Sequence, residues 1–475
     1  MDSYTQTSSG TLAVNIFPSS GINSLGQINA ITANLAGTLQ VNVVAGLYAN
    51  SQTYQDVVVA ASTLTGTWDT FVINTNTPFL SVVPVFLGDD TADLSLIRNA
   101  FTSVGGMTLN QMAAASGIEN SYSTSLTGPY AAMISQMFTF GSSTYISAVE
   151  QLHGADYAQN MMTNLGSMAL LNYSIDDRLN AGPIASNNRQ GTNIIQKGDV
   201  AIWARAQIVW GDADGDIEAP GYDQTQKAFY AGLDYAVNDD ILIGFVAGYY
   251  DNELRFNNGN RKDDNGVQIG LYGEYDTQKY YIRGIGGYAS YNADSVRHIN
   301  FGSTVGTNFG SYDITVTSFM IETGRRFEIS QDFYFTPYGG PSYARAKTDA
   351  FTETGLAASA LAASSNSAKS FMSDLGTRFT AAWDTGSNSK IIIEFGGAWQ
   401  HEFKDDPLRF TTSFAGAPGS AFTVIGSVID PDTFMLNAGI SLATGGGFEI
   451  KASYWGRFNS NFQEHSAGLK MIRRF

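Results

Sequence analysis

Val267-Gln268-Ile269-Gly270-Leu271-Tyr272-Gly273-Glu274-Tyr275-Asp276 alternates along its length: Val267, Ile269, Leu271 and Tyr275 fall on one face of an extended chain, and Gln268, Tyr272, Glu274 and Asp276 on the other. A period of two marks a β-strand with unlike faces, because successive side chains project to opposite sides. The pattern returns in Ile391, Ile393, Phe395 and Trp399 against Glu394, Gly396, Gln400 and Glu402. It returns again in Phe448, Ile450, Tyr454 and Phe458 against Glu449, Lys451, Ser453 and Arg457. From Asp199 to Phe475 about twelve such stretches follow one another, separated by Gly, Asp and Asn turns.

Strand length separates a soluble sandwich from a membrane barrel. Sandwich strands are about half as long as these. Twelve residues at about 3.3 Å each, tilted near 40°, project to roughly 30 Å, the hydrocarbon thickness of a bilayer. The connections also alternate in length. Gly211–Asp223, Asn252–Asp263, Asn292–Gly310, Lys347–Ser367 and Lys404–Asp432 are long, whereas Val237–Asp240, Asp276–Lys279, Glu328–Asp332, Asp384–Ser389 and Thr444–Gly447 are short. Outer-membrane barrels have short periplasmic turns and longer external loops, so the alternation predicts topology and sidedness together. Aromatic residues at strand ends, such as Tyr249-Tyr250, Tyr280-Tyr281 and Phe333-Tyr334, suit the interfacial girdles of such a barrel.

Composition narrows the classes. With 26 basic against 43 acidic side chains and a net charge of −17, the 475-residue chain is not a basic nucleic-acid binder. The absence of Cys excludes disulfides, thiolate zinc sites and a Cys nucleophile. With 12% aromatic and only 15% charged residues, the balance fits all-β structure and excludes intrinsic disorder. The longest greasy run, Phe79–Leu87, is interrupted by Ser81 and Pro84, so a helical membrane protein is not expected. Met1-Asp2-Ser3 opens a polar segment lacking the positive and apolar regions of a signal peptide, and an exported form would then be a fragment or a processed chain.

Upstream of the barrel, the pattern Val149, Leu152, Met161, Met162, Leu165, Met168, Leu171 and Ile175 predicts a helix over about Thr144 to Asn180, closing on Asp176-Asp177-Arg178. Gly154, Ala155, Ala158, Gly166, Ser167 and Ala169 make it slim, and its span reaches about 55 Å. A linker, Ala181–Gly198, follows. Residues before about 130 contain short runs such as Thr38-Leu39-Gln40-Val41-Asn42-Val43 and Asp56-Val57-Val58-Val59, which suggest short strands of a parallel β-helix or solenoid without a fixed period.

Short strands, a slim helix, about twelve alternating strands and a terminal Phe475 together resemble the C-terminal region of bacterial autotransporters, the one-chain type V secretion proteins. Ser62-Thr63-Leu64-Thr65-Gly66-Thr67-Trp68, Asp93-Leu94-Ser95-Leu96-Ile97-Arg98, Thr108-Leu109-Asn110-Gln111 and Gln151-Leu152-His153-Gly154 resemble the family's segment between passenger and barrel. Ala201-Ile202-Trp203-Ala204-Arg205 resembles its first strand, and Tyr454-Trp455-Gly456-Arg457-Phe458 and His465-Ser466-Ala467-Gly468-Leu469 its last two. The resemblance implies three units: a passenger stem over 1–140, a lumen-threading helix and linker over 141–198, and an autotransporter β-barrel over 199–475. The expected fold is all-β: a twelve-stranded antiparallel outer-membrane β-barrel with a lumenal α-helix, preceded by a solenoid-like stem.

By the same resemblance the barrel exports and anchors its own passenger at the cell surface. Its partners are then the outer-membrane bilayer, the passenger segment, periplasmic chaperones and the barrel assembly machinery, which reads Phe475. Counting back by two from Phe475 places Arg473 where an apolar residue is usual. Twelve strands leave a lumen about one helix wide. Arg205, Glu274, Arg283, Asp374, Arg378, Glu394, Lys451 and Arg457 are expected to face it, either with individual roles or simply as solvated lumen residues. A plain outer-membrane channel or adhesin barrel with a soluble N-terminal domain is the alternative.

No cofactor, metal site or enzymatic activity is expected. Some relatives cleave themselves at an Asn-Asn pair; here Leu171-Asn172-Tyr173 offers Asn172 without the second Asn, and Asn187-Asn188 reads as a linker turn. Gly284-Ile285-Gly286-Gly287-Tyr288-Ala289 matches a dinucleotide fingerprint loosely but sits in strand-period sequence with no following helix. Asp212-Ala213-Asp214-Gly215-Asp216 has calcium-loop spacing, yet Ile217 stands where the loop requires Gly, so an acidic external loop is expected. His153, His298, His401 and His465 are too scattered for a metal cluster, and no Gly-x-Ser-x-Gly elbow occurs.

Overall fold

The computed structural model describes the chain except residues 19–26, 181–197, 278, 331, 386–388 and 445. The linker and Asn187-Asn188 therefore lie outside the described residues. Strands β1 (Ser3–Thr5), β3 (Ile28–Leu35) and β5 (Ser51–Gly66) pair in parallel, as do β2 (Thr11–Ile16), β4 (Thr38–Val43) and β6 (Thr70–Ile73). Ser3 lies beside Thr32 and Thr32 beside Thr63, so the chain winds in successive coils. Alternation turns Val14, Ile16, Leu39, Val41 and Val43 into the coil interior, where each is buried. An antiparallel pair, β7 (Leu80–Phe86) and β8 (Thr91–Arg98), completes this region.

Two helices that the strand reading passes over come next: α1 (Leu109–Ser121) and α2 (Gly128–Met137). The start of α1 is written in Thr108-Leu109-Asn110-Gln111, where the Thr108 hydroxyl accepts from the Gln111 N–H and the Gln111 side chain returns the bond to the Thr108 N–H. The helix expected over Thr144–Asn180 is two helices, α3 (Ser142–Leu152) and α4 (Asp156–Asn180). They are separated at Gly154, whose φ of +69° is a left-handed conformation that glycine adopts without strain. His153 Nδ1 accepts from the Ala155 N–H at 3.0 Å, which holds the corner. The chain thus turns from α3, packed on α1, into α4 inside the barrel.

Twelve strands close into one antiparallel cylinder: Val200–Ala213, Tyr222–Ala236, Ile241–Phe256, Arg261–Asp276, Tyr280–Phe301, Thr304–Arg325, Phe333–Thr348, Asn366–Asp384, Ser389–Glu402, Asp432–Thr444, Phe448–Phe458 and Phe462–Arg474. The first pairs with the last, Arg205 opposite Lys470, so the sheet has no free edge. Its side chains are inverted relative to a soluble protein. Phe229, Leu233, Phe245, Leu271, Leu375 and Phe395 are exposed on the outside, while Arg205, Gln226, Gln268, Arg283 and Lys470 are buried inside. No helix among the described residues is long and apolar enough to cross a membrane.

Two further sequence expectations change. The connections Asn252–Asp263 and Asn292–Gly310 are largely strand, with pairing carried up to Arg255 opposite Arg261 and to Phe301 opposite Thr304. The outer face of the first carries charged pairs, Arg255 with Glu253 and Arg261 with Asp263, which suit water. The paired tyrosines also do not both serve a girdle. Tyr249 and Tyr280 are exposed, but Tyr250 and Tyr281 are buried, because neighbours on a strand must take opposite faces. Phe333 and Tyr334 are each half-buried.

In the N-terminal region, Arg98 grips Glu119 of α1 through two bonds of 2.7 and 3.0 Å, and Glu119 also accepts from the Phe101 N–H at 2.9 Å. Burial pushes the Glu119 carboxyl up, but these bonds and the Arg98 charge outweigh it and hold the group below the ordinary glutamate range. Stability from the pair is therefore complete above that range and drains as the pH falls through the lowered value. Glu119→Gln should cost about 2 kcal/mol at neutral pH, and the gap to wild type should narrow on acidification in thermal melts followed by near-UV circular dichroism.

Candidate functional site

The lumen is occupied by α4, a helix whose own sequence makes it both slim and wettable. Helical geometry gives each wall of the barrel a separate stripe of it. Asn160 donates to the Tyr312 hydroxyl at 3.1 Å, and Ser167 shares a 2.8 Å hydrogen bond with the Tyr291 hydroxyl. Gln207 and Gln268 each donate to a helix carbonyl, of Leu170 and Ser167 respectively, at 3.3 Å. Apolar side chains fit where the wall has none. A Cβ on Gly287 would lie 2.4 Å from Met168 Cε, and one on Gly270, its register partner, 3.3 Å from Leu171 Cδ2. Gly287, part of the loose dinucleotide match, is thus the floor on which the helix packs.

At the end of α4 three consecutive charged residues point in three directions, about 100° apart. Asp176 meets Arg283 at 2.8 Å and Arg378 at 2.9 Å. Asp177 meets Arg205 at 2.6 Å, Lys451 at 2.7 Å and Lys470 at 3.0 Å. Arg178 pairs with Asp234 of the second strand. A second ring backs the first: Glu322 bridges Arg283 and Arg378, and Glu394 holds Lys451. Asp177, Arg178, Arg205, Arg283, Lys451, Lys470 and Asp234 are all nearly inaccessible to solvent. Charges this deep are tolerable only when each meets its opposite with good geometry. The belt accordingly sets both the rotation and the height of the helix.

Of the residues expected to face the lumen, Arg205, Arg283, Arg378 and Lys451 contact α4 carboxylates directly, and Glu394 stands behind Lys451. Among the described residues Glu274 reaches the belt through Arg283, at 3.8 Å. Asp374 and Arg457 lie apart from it: Asp374 accepts from Gln400 at 2.8 Å, and Arg457 pairs with Glu464 at 3.1 Å. Sequence reasoning passed over Lys470, Asp234 and Glu322. Their signal was there in the phase of alternation, since each occupies the polar face of its strand, but partners from distant strands carry no sequence signature.

Asn172 lies beside a cavity of about 220 Å³ that runs along the Gly166–Ala169 face of α4. Its buried side-chain oxygen has no hydrogen-bond partner among the described residues. The Tyr173 ring stands next to Trp455 at 5.4 Å and under the Arg205 guanidinium at 5.4 Å. Asp216 of the acidic loop accepts from the Glu218 and Ala219 N–H groups of its own loop and from the Val428 N–H of the Lys404–Asp432 connection. Among the described residues no group of three or more His, Asp or Glu could hold a metal ion. Phe475 is exposed, and its N–H donates to the Val200 carbonyl at 2.8 Å, closing the cylinder at the short-turn end.

A closed cylinder with an apolar exterior and a helix held in a charged lumen defines an outer-membrane β-barrel of the translocator class. Residues 202–454 match the family model described as Autotransporter beta-domain, and the chain belongs to that family. It is 25% identical over 330 residues to an extracellular serine protease of Serratia marcescens, covering 69% of this chain and 31% of that protein. It is 23% identical over 273 residues to the esterase EstA of Pseudomonas aeruginosa, covering 56% of this chain and 41% of the esterase. The chain therefore spans less than half the length of these relatives. The fold matches the translocator domain of the autotransporter NalP from Neisseria meningitidis with a TM-score of 0.53 at 15% identity, covering 68% of this chain and all of that one.

Removing Asp177 would leave Arg205, Lys451 and Lys470 facing one another unneutralised. Asp177→Ala should cost about 3–5 kcal/mol, read as a lower temperature at which the folded barrel converts to its boiled mobility on a denaturing gel.

Proposed function

We propose that this chain exports and anchors its own N-terminal region. The barrel, 199–475, sits in the outer membrane; of the unit expected over 141–198, α4 (Asp156–Asn180) threads its lumen while α3 stays at the outer mouth; residues 1–140 are the last stretch of a passenger, held at the cell surface. Barrel assembly machinery acting on the C-terminal strand, and periplasmic chaperones before it, would serve the insertion. The observation that carries this reading is the direction of α4. Its first residue, Asp156, accepts from Asn258 at 3.1 Å, at the end of the barrel with long connections, and Asp177 accepts from Lys470 beside the short turns. Such a helix is what remains in a pore after everything before it has gone outward.

The barrel itself has no role as an enzyme in this reading. Catalysis, where the whole protein has any, would belong to parts of the passenger upstream of residue 1, as the names of the protease and esterase relatives suggest. Tyr173 in place of a second Asn favours a helix that stays attached, with Asn172 uncleaved. A plain channel would instead conduct through its wild-type lumen. In planar bilayers the refolded full chain should show little conductance, and Asp176→Asn with Asp177→Asn and Arg178→Gln should raise it several-fold by freeing α4. An epitope placed at residue 1 should be reached by external protease on intact cells. High wild-type conductance with a periplasmic epitope would replace export with the channel reading.

A further inference from the structure

The first N–H groups of a helix have no partner within it. In α1 the Gln111 N–H goes to Thr108, but the Leu109 and Asn110 N–H groups go to Glu218 Oε1 and Oε2 at 2.9 and 2.8 Å. Glu218 lies on the barrel's first external connection, so a carboxylate from the barrel completes a helix of the N-terminal region, where negative charge is favoured. The fully buried Asn110 side chain adds bonds of 2.7 Å to the Glu218 carbonyl and 2.8 Å to both the carbonyl and the N–H of Ile425.

Steric fit extends this contact. A Cβ on Gly117 of α1 would lie 2.5 Å from the Phe422 ring, and one on Gly416 of the barrel would lie 2.6 Å from Tyr130 of α2. Tyr130 packs on Phe414 with ring centroids 5.3 Å apart. On a third connection, the side-chain Oε1 of Gln136 accepts from the Ser303 N–H at 2.7 Å and the Ser303 hydroxyl at 2.9 Å, and Phe140 meets Phe301 edge-on. Three barrel connections, far apart in sequence, thus present a helix cap, two close-fitting aromatic contacts and a hydrogen-bonding tip to α1 and α2. Most of these groups are buried or half-buried.

We infer that the outer end of the barrel, with α3, is a receptor for the chain's own N-terminal region, binding residues 1–141 without needing the covalent link. A passenger severed ahead of α3 would stay on the barrel. Only the placement of this complex at the cell surface rests on the export reading; the binding itself does not.

The test inserts a protease recognition sequence between Gly141 and Ser142 of the full chain, cleaves it after refolding in detergent and follows the fragment by size exclusion. The expected result is co-elution of fragment 1–141 with the barrel, and at least tenfold faster release from Glu218→Gln combined with Asn110→Ala. Gly416→Leu, a change on the barrel side alone, should release it independently, with the heat-dependent gel shift showing that each barrel is folded. Immediate release from the cleaved wild type overturns the inference, as does retention unchanged by all these substitutions. Co-elution together with a periplasmic epitope in cells would overturn the export reading while leaving the receptor in place.

Discussion

Inside a bilayer no water is available to satisfy a backbone N–H or C=O, and the architecture of the barrel follows from that constraint. A sheet can meet it only by closing, which here brings the Phe462–Arg474 strand against Val200–Ala213. Closure fixes an inside and an outside, and the period of two then assigns every side chain to one or the other. The apolar set is left on the outside, and the polar set around the end of α4 is buried once the helix occupies the lumen. The lumen therefore has to neutralise its own charges.

It does so with the helix. Desolvating a carboxylate and two or three cations is expensive, and the expense is offset only when the partners sit at hydrogen-bonding distance. Asp176, Asp177 and Arg178 place opposite charges in three sectors of the wall at one height, so rotating or sliding α4 would strand several buried charges together. This is specificity more than net stability: a hydrophobic plug of the same volume could hold as firmly, but it would not define a single register. Gly270 and Gly287 supply the complementary steric half, a flat patch that admits Met168 and Leu171 at this register.

The split between α3 and α4 shows how a local signal can be read and its consequence missed. Gly154 counted toward a slim helix on composition, but its positive φ turns the chain at the mouth of the barrel. The capping pattern of Thr108 and Gln111 was likewise visible, yet the Ala-rich and weakly amphipathic stretch after it did not declare a helix. Its Leu109 and Asn110 N–H groups are satisfied by Glu218, a residue more than a hundred positions away. No local pattern could announce that.

Alternation over about twelve stretches, their length and the long-short rhythm of the connections determined the barrel, its membrane setting and which faces were inward, because period and length are properties of contiguous residues. Which inward charges meet was decided only by closure. Lys470 and Arg205 face Asp177 because the first and last strands are neighbours in the cylinder, and Arg283 and Arg378 share Asp176 because α4 lies between their strands. Asp374 and Arg457, alike in sequence pattern, are left out of the belt because their height on the wall does not match the end of the helix. Charge pairing depends on distance in space, and for strands joined across a cylinder that distance is set by register and height rather than by separation along the chain.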